Sequence, residues 1–216
     1  MLQRIGAERR IDMAKKAVSQ LVQKDLPDEV LFSLRVFGHK EKDSCRTDVE
    51  IAFAPLDRAQ AAATVASIEA MNLAKTPIGA TLAAVAADLA TQPGPHVVIL
   101  LTDGEDHEGD PVAAASELAQ LGARIYVVGI GTRTGEPIPT YADDGTWTGY
   151  MRDSSGNSVL TSLSADNEAQ LKKIAEATGG MYQALGAQGE GLAAIYEQGL
   201  AGYTREDLSS RQAKVP

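Results

Sequence analysis

One cysteine, three histidines and no long basic run stand in a chain of 216 residues, and each scarcity removes a class of explanation. The single thiol, Cys45, excludes an intrachain disulfide and says little about compartment. His39, His96 and His107 are widely spaced and no nucleophile–base pair is evident, which weighs against a hydrolytic centre. With 29 acidic against 20 basic residues and a formal net charge of −9, the chain lacks the positive footprint that nucleic acid or an anionic membrane requires. No apolar run approaches the roughly 20 residues of a membrane span. The N-terminal MLQRIGAERR lacks the apolar centre of a signal peptide. The expectation is a chain that is soluble as given, without direct membrane insertion.

What is present suits an α/β domain. The chain is 44% hydrophobic and long enough to bury a full core as one domain. Its central stretch is His96 to Pro111, HVVILLTDGEDHEGDP. Val97 to Leu101 is an unbroken apolar run of strand length, as expected of a parallel strand buried on both faces. It stops at Thr102-Asp103-Gly104, and Pro111 opens a helical pattern. In open α/β sheets, ligands sit beyond the carboxyl ends of the strands, which makes Asp103 the expected centre of a site.

The rest of the chain alternates around that strand. Residues 8–24 carry a helical stripe of Ile11, Ala14, Val18, Leu21 and Val22. Val30 to Phe37 reads as a strand, and Asp48 to Ala54 as a half-exposed strand antiparallel to it at a sheet edge, with a polar loop, His39 to Thr47, between them. An Ala-rich helix covers 58–71. Thr76-Pro77 then reads as a helix start, Thr at the N-cap and Pro at the first helical position. Ile78, Leu82, Val85 and Leu89 give that helix its buried stripe, and Ile125 to Ile130 is a second buried strand. Residues 131–163 interrupt the alternation with short β-prone runs and turn residues, a small inserted meander. A helix at 167–177, an edge strand at 181–185 and a last helix to about 203 follow, with a polar tail over 204–216. This order predicts a doubly wound, mostly parallel Rossmann-like sheet in a single domain over 1–203.

Several stretches together resemble the von Willebrand factor A (VWA) domains, the bacterial aerotolerance (Bat, BatB-like) type above all. They are TPIGATL at 76–82, VVILLTDGEDHEGDP at 97–111, VVGIGT at 127–132 with GEPIP at 135–139, and IAEATGGMY at 174–182. The resemblance implies a metal-ion-dependent adhesion site that holds Mg²⁺ or another divalent cation at the rim of the sheet. Such a site combines a D-x-S-x-S turn after the first strand, a Thr before a later helix and an Asp after the next strand. Thr76 and Asp103 match the second and third parts. Hydroxyl, carboxylate and water oxygens suit Mg²⁺, and a partner's carboxylate can complete the shell. The implied function is non-catalytic protein binding. The implied partners are tetratricopeptide-repeat proteins, other VWA proteins or a MoxR-type AAA+ ATPase, and the implied setting is the periplasmic side of a bacterial inner membrane in an intact protein.

The first part of the pattern does not match. Met1 falls where the last residue of D-x-S-x-S-M would be, so the central first strand and its ligands are expected upstream of a truncated or misassigned start. Asp153-Ser154-Ser155-Gly156-Asn157 follows no buried strand and has Asn where the second Ser belongs, and it reads better as a hairpin turn. Two expectations follow. Unpaired edges at 30–37 and 97–102 would leave the isolated chain poorly stable or prone to aggregate unless another segment fills the slot. Two protein ligands would hold Mg²⁺ weakly. A metal-independent structural domain is one alternative. A metal-dependent hydrolase using Asp103, Glu105, Asp106 and His107 is another, although Glu105, Asp106, His107, Glu108 and Asp110 read more simply as a solvated loop whose last acids favour the next helix's N-terminus. Tyr141, Trp147 and Tyr150 form a contact surface or pack the insertion.

Overall fold

Strand burial in this protein follows from which strands acquire neighbours on both edges. The computed structural model describes residues 1–5, 7–72, 74–104, 109–142, 146–186 and 189–201. Its centre is a parallel sheet of β5 (His96–Thr102), β6 (Ala123–Gly129) and β11 (Tyr182–Ala184), in the order β11-β6-β5. β6 alternates between two cores, as a strand's period of two dictates. Ile125 and Val127 face a cluster formed with α3 (Ile78–Leu89), α4 (Pro111–Gln120) and α5 (Ala165–Glu176). Tyr126 and Val128 face a second cluster formed with α1 (Arg10–Gln20) and α6 (Glu190–Ile195). Helices on both faces of a parallel sheet make this an α/β, Rossmann-like fold.

β3 (Leu31–Phe37) and β4 (Thr47–Pro55) form a separate antiparallel pair. Among the described residues no strand pairs with the outer edge of β5 or bridges it to β3. Side chains, not sheet hydrogen bonds, tie the hairpin to the rest. Arg35 grips Asp88 of α3 at 2.6 and 2.9 Å. Arg58, which opens α2 (Arg58–Ser67) just after β4, ties that helix to the turn after α1 by donating to the carbonyls of Val22 and Leu26. Val97 of β5 and Leu31 of β3 are 36% and 49% exposed.

Local sequence explains the element ends. Asp110 caps α4, accepting from Val112 N and Ala113 N at 3.1 and 3.0 Å, and Ser164 caps α5 through Asn167 N. α1 gives way to a π-helical turn at Leu21–Asp25, and a second such turn, Tyr196–Leu200, follows α6. A short antiparallel pair, β1 (Arg4–Ile5) and β2 (Glu8–Arg9), precedes α1, where the helical stripe alone predicts helix from residue 8. In the 131–163 stretch, β7 (Glu136–Pro137) pairs with β10 (Leu160–Thr161), and β8 (Pro139–Tyr141) with β9 (Trp147–Tyr150). Asp153 Oδ1 accepts from Ser155 N and Asn157 N at 2.8 and 2.9 Å, closing a turn on itself as read from the sequence. No helix among the described residues is long and apolar enough to cross a membrane.

Candidate functional site

β5 delivers its last residues to a crowded rim. Thr102 is 1% exposed, and its carbonyl accepts from Ile130 N at 2.7 Å, locking the ends of β5 and β6 together. Its hydroxyl accepts from Gly104 N at 3.1 Å. Gly104 has φ +86°, and a Cβ there would stand 2.7 Å from Leu163 Cδ1, so both backbone and space demand glycine. Between these two fixed residues, Asp103 is held at 5% exposure.

The carboxylate of Asp103 faces positive charge. Its Oδ2 accepts from the Met1 ammonium at 3.2 Å and lies 3.8 Å from Arg10 Nη1. Arg10, the first residue of α1, is fully buried. Its Nη2 donates to the Thr161 carbonyl at 3.1 Å, while Nε and Nη1 have no hydrogen-bond partner. Two cations therefore share one buried carboxylate, an arrangement that is costly unless further negative charge joins it. Arg10 also ties the rim to β10 and so to the inserted strands. Motif reading misses it. The signal was present in the spacing: the buried stripe of α1, Met13, Ala14, Ala17 and Leu21, continues one turn backward onto Arg10.

Thr76 is half-buried, and its carbonyl accepts from Ile78 N at 3.1 Å. The helix start is shifted by one residue from the expected pattern. Pro77 is the N-cap and Ile78 the first helical residue, with Thr81 N bonding the Pro77 carbonyl at 2.9 Å. The reason is backbone geometry: Pro77 adopts φ −87° and ψ 72°, outside the helical region, so the helix cannot include it. Gly109 lies against this helix, since a Cβ there would stand 3.4 Å from Gly79 Cα and Ala80 N. Glu105, Asp106, His107 and Glu108, the residues of the hydrolase alternative, lie outside the described residues.

Comparison with known proteins fits this architecture. The family model of the von Willebrand factor type A domain matches residues 5–185. An aerotolerance-related membrane protein from Bacteroides fragilis superposes with a TM-score of 0.74 at 29% identity, covering 91% of each chain. The conserved hypothetical protein BatB from Bacteroides thetaiotaomicron gives a TM-score of 0.74 at 28% identity, over 91% of this chain and 90% of that one. The uncharacterized protein YwmD of Bacillus subtilis is 33% identical over 129 residues, and that match spans 55% of this chain and 56% of the relative. By the extent of the family match and the agreement of folds, the chain belongs to the von Willebrand factor type A domain family and is BatB-like within it.

Proposed function

We propose that the chain is a protein-interaction module whose rim takes a divalent cation, Mg²⁺ by preference, through Asp103 and Thr76. The observation that carries this reading is the Asp103 carboxylate, held at 5% exposure at the end of β5. The donor types suit a hard cation: a carboxylate and a hydroxyl, with water and a partner's carboxylate to complete six oxygens. A bound Mg²⁺ would supply an open coordination position for that partner carboxylate. The chain's own residues would fix the carboxylate oxygen and orient the segment before α3. Affinity is weak here, because two protein ligands are few and because the Met1 ammonium and the Arg10 guanidinium compete for the same oxygen.

Domains of this family serve protein–protein interaction and are generally non-catalytic. The partners proposed are tetratricopeptide-repeat proteins, other VWA proteins or a MoxR-type AAA+ ATPase, in an intact protein at a bacterial inner membrane with this domain facing the periplasm. Magnesium titration by calorimetry tests the site. Weak binding that disappears in Asp103→Asn is expected. Tight binding, or binding untouched by that substitution, overturns the two-ligand rim. A second reading, a metal-independent domain, draws on the same contact: Asp103 already has cationic partners within the chain. Partner capture that is insensitive to a chelator and to Asp103→Asn would favour it.

A further inference from the structure

The β3–β4 hairpin carries a second set of metal-ligating groups, of different chemistry from the rim. Asp48 and Glu50 are two apart on β4 and so share a face of that strand. His39 comes from the turn after β3, where Gly38 takes φ +70°. His39 Nε2 lies 3.0 Å from Glu50 Oε1, and one ligand atom from each of the three residues falls within 4.8 Å of the others. The side chains are well shielded, at 8% exposure for His39, 15% for Asp48 and 21% for Glu50. We propose that His39, Asp48 and Glu50 form a site for a borderline dication, Zn²⁺ by preference, separate from the oxygen-only rim.

The spacing suits that ion. Donors around a tetrahedral Zn²⁺ at its usual bond lengths stand about 3.4 Å apart, so small rotations of the three side chains close the set. An imidazole with two carboxylates selects Zn²⁺, Co²⁺ or Mn²⁺ over Mg²⁺, and three protein ligands leave a fourth position for water. Both carboxyls are held below their ordinary range, Asp48 chiefly by its bond to Arg46 and Glu50 by Lys40 and then His39. The space between them already attracts a cation: Lys40 Nζ bonds Glu50 and lies 4.0 Å from Asp48 Oδ1. Arg46 Nη2 stands 2.7 Å from Asp48 Oδ1. Lys40 is 43% exposed on a flexible stem, so its ammonium can swing out as an ion enters.

An ion there would brace the hairpin turn that supports the approach to Thr76. Met71 N donates to the Gly38 carbonyl at 3.0 Å, and Lys75 Nζ lies 3.6 Å from Asp43. The test is titration of the full chain with Zn²⁺ alone, by calorimetry and thermal melting. One equivalent should bind and raise the melting temperature. His39→Ala should weaken binding at least tenfold, Lys40→Gln should strengthen it, and Asp103→Asn should leave it unchanged. Absence of Zn²⁺ uptake by both wild type and Lys40→Gln, or equal uptake by His39→Ala, overturns the site. Should His39→Ala fail to fold, imidazole NMR of the wild type decides: Zn²⁺ must shift the His39 ring, and a shift of His96 or His107 alone overturns the assignment.

Discussion

β5 and β6 are adjacent, parallel and each seven residues long, yet they occupy different surroundings. In β6, ARIYVVG, six residues are buried, whereas in the more apolar β5, HVVILLT, only Leu100 and Thr102 are. Helices cover both faces of this sheet, so the faces do not account for the difference. The edges do: among the described residues β6 has β5 and β11 on either side, and β5 has β6 on one. The burial of a strand is thus a property of its neighbours as much as of its own residues. The β3–β4 hairpin repeats the lesson, since Leu31 to Phe37 holds five apolar residues and none of the seven is fully buried.

Matched substitutions put this contrast at risk. Ile125→Ala in β6, where the side chain is fully buried, should cost about 4 kcal/mol. Ile99→Ala in half-buried β5 should cost about half as much, roughly 2 kcal/mol, both read from urea denaturation. Equal costs would mean that the open edge does not loosen β5. At the rim where the two strands end, Arg10→Ala should cost about 3 kcal/mol, because it removes one partner of a buried charge pair. Arg10→Met combined with Asp103→Asn should recover much of that loss, and strict additivity of the two changes would show that the groups do not couple.

Gly104→Ala should destabilise by about 2 kcal/mol through its backbone conformation and its close approach to Leu163. Gly94 is the control: its φ is +97°, but an added Cβ meets nothing within 4 Å, so Gly94→Ala should cost only about 1 kcal/mol. The smallest effect lies on the outer side of β6, where Glu168 of α5 accepts from Lys172 and from Arg133, past the end of that strand. These bonds, Lys172 first, hold the Glu168 carboxyl below its usual value of 4.5. A depressed carboxyl stabilises the fold above that value, and the contribution is lost as pH falls through the lowered one. The urea midpoint should therefore drop between pH 6 and pH 3, slightly less in Glu168→Gln than in wild type.

Much of this was legible in the sequence because it is written in local patterns. The apolar runs of β5 and β6, the acids before α4 and the Asp153 turn all depend on residues close together in the chain, and they appear within a residue or two of expectation, whereas the Ser164 cap that starts α5 two residues early went unread. What stayed hidden depends on distant partners. Arg10 is buried because Asp103 and Thr161 stand at its far end, and no window around residue 10 contains either. The shift of the α3 start came from the conformation Pro77 adopts, which the Thr-Pro pair leaves undetermined. His39, Asp48 and Glu50 met only when the hairpin closed.

Trp147 is the chain's one tryptophan, 57% exposed and edge-on to Tyr150 at 5.7 Å. Its fluorescence should therefore report on the β8–β9 hairpin rather than on the two cores. A partner that docks on the insertion would move that emission toward the blue, whereas one that engages the opposite flank of the molecule would leave the spectrum as it was.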